Sequence, residues 1–235
     1  MAATRASLDD LDWMLDLLER RRAPLVTMAP VFWKPAADAA AAHRVFVEYQ
    51  IAHGGARAYR TANAVLKAAP QGEGWLVDNA YVTDERWAET TDGRDLWNAF
   101  AADCAGSQVR FVAPTYERAR CQFALNVGLT VQESWWLKEL SSGGGQAGLT
   151  VELPGAAAVT LAAPPVYAPP GPVLFLPNPS DAALAVPAAL AKAEELGCAA
   201  VVVNQPATNV KLAEDLHDAG LRRHCDFFTG VVAAV

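Results

Sequence analysis

The sequence predicts an α/β fold made of two related units, the second shorter than the first. Three observations predict it. Short β-type runs alternate with Gly and Pro turns over "GGARAYRTANAVLKAAPQGEGWLVDNAYV", which points to adjacent antiparallel strands. From "WLVDNAYV" onward, strands and helical stretches follow in the order β-α-β-α-β, and the same order returns after "SSGGGQAG", residues 141 to 148. That stretch has the composition of a flexible linker and marks the expected boundary.

"SLDDLDWMLDLLERRR" begins with Ser7 as N-cap and Asp9 and Asp10 in the first turn, while Leu8, Leu11, Met14, Leu15 and Leu18 recur at helical spacing. Arg20, Arg21 and Arg22 suit its C-terminus, where cations meet the negative end of the helix dipole. Pro30 and Pro35 then bracket Val31, Phe32 and Trp33, and a second helical stretch covers about Asp38 to Ala52. After the antiparallel strands, "RDLWNAFAADCAG" is helical and "QVRFVAP" is a strand. "YERARCQFALNVG" is a helix ending at Gly128, and "LTVQESWWLKEL" is a strand that sends Trp135 and Trp136 to opposite faces.

Beyond the glycine-rich stretch come the strand "GPVLFL", the helix "SDAALAVPAALAKAEELG", the strand "CAAVVVNQP", the helix "NVKLAEDLHDAG" and the strand "LRRHCDFFTGVV". "NVGL" and "DAGL" hold equivalent places in the two series. The expected division is therefore residues 1–140, a connecting linker and hairpin at 141–170, and a partial repeat at 171–235 that lacks the helical N-terminal section. The competing reading is two ordinary α/β stretches that happen to align.

Composition excludes several classes. At 235 residues, 52% hydrophobic and 19% charged, the chain is globular and long enough for a substantial core. A net charge of −7 disfavours attraction to nucleic acid. The N-terminus is acidic where a secretory signal would be basic, and no apolar run reaches membrane-spanning length, so a cytoplasmic location is expected. Cys104, Cys121, Cys198 and Cys225 share no CxxC pattern, and His43, His53, His217 and His224 lack ligand spacing, so no metal site is expected.

The helix pair at the N-terminus, the antiparallel strands, the strand-loop-helix around residue 82 and "ERARCQFALNVGLTVQESWW" together resemble the GNAT superfamily of acyl-CoA-dependent N-acyltransferases. "PVFWKPA", "WLVDNAYV", Trp87 and "ESWWLKEL" look like an uncharacterised branch of it. The resemblance covers residues 4 to 140, with 171 to 235 as a half repeat. It implies a strongly twisted, mostly antiparallel mixed sheet flanked by helices, followed by a partial second unit. It also implies acyl transfer from acetyl-CoA or another acyl-CoA to a small amine, with a non-catalytic ligand-binding or interaction module as the alternative. No nucleic acid or membrane partner is implied, and a homodimer is the assembly to test.

In the superfamily the strand before the loop splays from its neighbour, acyl-CoA lies in the gap, and its pyrophosphate sits on backbone N–H groups at the start of the next helix. The matching positions here are Tyr81, Val82, Arg86, Gly93 and Arg94, with Glu117 where relatives often have an asparagine near CoA. The loop "RWAETTDGRDL" has a single glycine and nearby acidic residues, so a plain polar turn is the other reading. Asp78 falls where relatives carry the general base, and strand alternation would put residues 78, 80 and 82 on one face; a bulge or turn cap is its bland alternative. The usual acid position is Ala124, which cannot donate a proton, leaving Tyr116 or Tyr81 as candidates. Phe32 and Trp33 fall on the acceptor side of the cleft, unless they only pack the connection between helices.

Overall fold

The computed structural model describes residues 2–234. In chain order the elements are β1 (Thr4–Arg5), α1 (Leu11–Arg22), α2 (Leu25–Met28), α3 (Ala39–Ala52), β2 (Arg57–Arg60), β3 (Ala64–Gln71), β4 (Gly74–Val82), α4 (Asp92–Cys104) and β5 (Gln108–Pro114). They continue with α5 (Arg118–Asn126), β6 (Thr130–Glu139), β7 (Thr150–Leu153), β8 (Ala156–Leu161), β9 (Val173–Pro177), α6 (Ala182–Glu195), β10 (Ala200–Pro206), α7 (Val210–Asp218) and β11 (Arg222–Val231). Ser7 starts the first helical segment with a reciprocal cap: its side chain accepts from Asp9 N, and its own N–H donates to the Asp10 carboxylate at 3.0 Å.

The chain forms two compact units that are interleaved in sequence. One holds the residues up to 23, 40–131 and 226 onward; the other holds 24–39 and 132–225. In unit 1 the strand order is β1-β2-β3-β4-β5, and the Asp226–Val231 part of β11 lies beside β5. Strands β1 to β4 are antiparallel and β4–β5 is parallel. Alternation along the strands feeds two cores: Leu66, Ala80 and Val82 pack with Leu96, Trp97 and Phe100 of α4 and Phe123 of α5, while Val65 and Tyr81 pack with Met14 and Leu18 of α1 and Val47 of α3.

Unit 2 has the order β6-β10-β9-β8-β7, with β10–β9 parallel and the other pairs antiparallel. Trp136 joins the core under α6 and α7, and Trp135 the opposite one with Phe32 and Trp33. This is the mixed, mostly antiparallel α/β arrangement that the sequence predicts. The β-α-β-α-β order recurs, but the closing strands change places: β6, which ends the first series, pairs with β10, and β11, which ends the second, lies next to β5. Each parallel pair has an open edge whose backbone groups need a partner, and a strand from the other series supplies it. The compact units thus do not divide at residue 140, and residues 24–39 belong with the later strands.

The segment read as a flexible linker is close-packed. Gly144 N donates to Pro170 O at 2.7 Å, Gly145 N to Gly197 O at 3.0 Å, and Ser142 Oγ to Cys198 O at 2.5 Å. A Cβ on Gly145 would lie 2.0 Å from Leu196 O. Glycine serves here for close approach of backbones, not for flexibility.

Two histidines are buried without charge. His43 accepts at Nδ1 from the Arg22 guanidinium at 2.8 Å, and the His224 ring lies 4.7 Å from that of Phe32. Burial first, and then the nearby arginine (Arg22 for His43, Arg222 for His224), pulls each pKa down to about 3.

Two predictions come from this architecture. Gly145→Ala should cost more than ~2 kcal/mol in urea unfolding, because backbone must move, whereas Gly144→Ala, at φ +83° with open space around it, should cost about 1 kcal/mol. Equal and negligible losses would restore the linker reading. Because both histidines have folded pKa values below the unfolded value near 6.5, the unfolded chain binds more protons between pH 6.5 and about 3. Stability should fall as pH drops below 6.5, by up to ~1.4 kcal/mol per pH unit for each histidine, and His43→Leu should reduce that slope.

Candidate functional site at a strand fork

Strands β4 and β5 run together only through Trp75↔Val109, Leu76↔Arg110 and Val77↔Phe111. Both continue, to Val82 and Pro114, but without pairing, so the sheet of unit 1 forks just after Val77. A β-bulge sits at the same place: on the β3 side, Ala68 faces Val77 and Lys67 faces Asn79, which leaves Asp78 as the extra residue. The bulge corrects the alternation expected from the sequence. Ala80 and Val82 point into the core under α4, whereas the Asp78 carboxylate approaches Lys67 Nζ, at 3.9 Å. An inserted residue breaks the period of two, so Asp78 does not share their face.

Lys67 is fully buried, and Asp78 is 39% exposed. The lysine donates to Gln50 Oε1 and lies 5.5 Å from the Phe46 ring centre. Burial lowers its pKa, with Asp78 opposing. Asp78 Oδ1 is buried and makes no hydrogen bond. A carboxylate at the fork, beside a desolvated ammonium and open to solvent on one side, can accept a proton from a ligand.

The fork itself is spanned by arginine. Arg120 of α5 has no exposed surface; its Nη1 donates to Ala80 O at 2.8 Å, and its Nη2 to Asp78 O at 3.0 Å and Val112 O at 2.6 Å. One guanidinium thus takes carbonyls from both strands where their ladder has stopped. Glu117 accepts from Arg120 Nη1 at 3.4 Å and binds Arg21 of α1 through both oxygens, at 2.9 and 3.0 Å. Arg21 Nη1 also reaches Asp78 O at 3.1 Å. Burial, and then Arg21, pushes the Arg120 pKa down to about 10, so it stays charged at neutral pH. Glu85 is raised, by burial first and then by Glu117.

The other expected site residues are distributed as follows. Tyr81 is buried against α1, its hydroxyl accepting from Asp84 N at 3.3 Å. Tyr116 is half-buried in the β5–α5 turn. Glu117, expected beside CoA, faces two guanidinium groups instead. Arg86 pairs with Glu89 on the surface, and Arg94 is exposed in the first turn of α4. Gly93 is buried inside α4, where a Cβ would lie 2.9 Å from the Trp87 ring; its lack of a side chain lets the helix settle on Trp87. Asp84 and Glu85 adopt φ of 58° and 57°, a left-handed turn made without glycine. Phe32 and Trp33 belong to unit 2, in an aromatic cluster with His224 and Tyr167, and Glu139 accepts from the backbone of Val31 and Phe32 at 2.9 and 2.7 Å.

Sequence reasoning missed Arg21, Arg120 and Lys67. Signals existed for two of them: Arg21 follows Met14, Leu17 and Leu18 on the buried stripe of α1, and Arg120 stands three residues after Glu117, the N-cap of α5. Lys67 lies in a buried strand run, where composition says nothing about its partner.

Among known proteins, neither a family model nor a curated protein matches this sequence. Solved structures do. A candidate acetyltransferase from Thermoplasma acidophilum superposes with a TM-score of 0.59 at 11% identity, over 98% of this chain and 100% of that one. A second, from Pyrococcus horikoshii, gives 0.52 at 10% identity over 97% and 88%. At a TM-score of 0.47, the likeness to a tandem GNAT protein from the clavulanic acid biosynthesis pathway is too loose to argue from. At such identities the likeness concerns fold: the chain shares the α/β fold of these two structures.

Glu117→Gln tests the ionic cluster. It preserves volume but removes the carboxylate that is hydrogen-bonded to both Arg21 and Arg120, so unfolding in urea should show a loss of about 3 kcal/mol or more. A loss below ~1 kcal/mol would mean that backbone carbonyls alone hold both guanidinium groups.

Proposed function

We propose that this chain is an N-acyltransferase, taking an acyl group from acetyl-CoA or a related acyl-CoA and passing it to a small amine at the fork of unit 1. The observation that carries the reading is the fork with Asp78 at its base, in a chain that shares the α/β fold of a candidate acetyltransferase. Asp78 would take the proton from the incoming ammonium, and Lys67 would hold the carboxylate in place from the β3 side. The acyl donor would bring the activated thioester, and the backbone edges of the fork would orient it only once they are free. As it stands the fork does not fit the donor arm, because Arg120 uses the carbonyls that the arm would need. A location in the cytoplasm is part of the same reading. Among the described residues no helix is long and apolar enough to cross a membrane.

A second reading keeps the fold without turnover, as a ligand-binding or interaction module. The observation favouring it is the loop after β4, where Gly93 is covered by Trp87 and Arg86 is engaged by Glu89. Such a loop presents few free N–H groups to a pyrophosphate.

Calorimetric titration with acetyl-CoA, together with thiol release over a panel of small amines, separates the two. Release of CoA with any amine supports transfer, and Asp78→Asn should then lower the rate by about 10²-fold while leaving donor affinity nearly unchanged. A parallel loss of affinity and stability would make Asp78 structural. Donor binding without turnover on any amine would favour the module.

A further inference from the structure

We infer that Arg120 is a plug: its guanidinium occupies the donor slot of the fork, and a ligand can enter only by displacing it. The inference rests on the reading that an acyl donor enters at the fork, and it concerns what stands in the way.

Where β4 and β5 separate, Asp78 O, Ala80 O and Val112 O lose the ladder partners that a continuous sheet would give them. Buried carbonyls need donors. Arg120 provides them, at 3.0, 2.8 and 2.6 Å, from a side chain with no exposed surface. An extended arm bearing amide N–H groups, such as the pantetheine part of a CoA thioester, would need the same carbonyls and the same space. The two cannot be present together. Three features suit the side chain to being displaced without wrecking the unit. Glu117 is held mainly by Arg21, through both oxygens, so it keeps a counter-charge when Arg120 leaves. Arg21 also keeps its bond to Asp78 O at 3.1 Å, so one strand stays anchored to α1. Arg120 Nε makes no hydrogen bond, so the group is incompletely satisfied where it lies.

The test uses the full-length protein, its Arg120→Ala variant and Arg120→Met, which retains most of the stem but no guanidinium. Circular dichroism and thermal melting check the fold. Each protein is titrated calorimetrically with CoA and with pantetheine, which has the amide arm but no nucleotide. A plug predicts that both variants bind both ligands at least about tenfold more tightly than wild type, with a similar gain for pantetheine as for CoA, since the gain arises at the arm. Wild type binding as tightly as the folded variants would overturn the plug and leave the acyl-donor reading in place. Folded variants and wild type that all fail to bind at millimolar ligand would instead remove the acyl-donor reading, and the plug with it. A gain for CoA alone would place the effect at the phosphates and overturn the plug. Loss of the fold in both variants would also overturn it, because Arg120 would then be a strut of the core.

Discussion

A charged guanidinium buried between two parting strands is the constraint around which unit 1 is organised. Burying such a group costs several kcal/mol unless nearly all of its donors are satisfied. Four hydrogen bonds from Arg120, to three carbonyls and to Glu117, meet that requirement by joining β4, β5 and α5. Glu117 then fixes the position of Arg21, and through it α1. The network is therefore directional in a way that apolar packing is not: each partner must be at a given distance and angle, so four elements share one geometry. The same geometry fills the space between the parting strands β4 and β5.

The bulge at Asp78 is the second determinant, and it acts through register. One extra residue in β4 ends the ordered pairing with β5 and turns a carboxylate toward Lys67 on the α1 and α3 side of the sheet. A regular strand would have pointed that carboxylate with Ala80 and Val82 into the core beneath α4, where an unpaired charge could not be accommodated. Bulge, fork and buried lysine are thus parts of one arrangement. Its exposed edge is the half-open Asp78.

Glycine serves close approach at two places in the chain. At 143 to 145 it allows backbones of unit 2 to meet at hydrogen-bonding distance, as the 2.7 Å bond from Gly144 to Pro170 shows. At Gly93 it allows α4 to rest on the face of Trp87, whose ring in turn lies 4.8 Å from Phe123. In neither place does glycine provide flexibility or an anion cradle. The loop after β4, which composition leaves open between a cradle and a plain turn, packs around Trp87.

Local chemistry was enough to read most elements, because capping and periodicity are properties of neighbouring residues. Ser7 with Asp10, the apolar stripe of α1, the stretch at α3 and the opposite faces of Trp135 and Trp136 are all of this kind. The alternating order of strands and helices was also legible, and with it the fold class. What the sequence could not decide depends on residues far apart in the chain. The exchange of β6 and β11 follows from which open edge each strand meets, and strand order along the chain does not encode edges. Glu117 pairs with Arg21 across 96 positions, and Arg120 reaches Asp78 O across 42, so neither contact has a local signature beyond an arginine three residues after a glutamate. Tertiary structure decided the chemistry of the fork because desolvation, and not residue type, determines whether an arginine is a solvated surface group or a buried cation that binds the carbonyls of two strands.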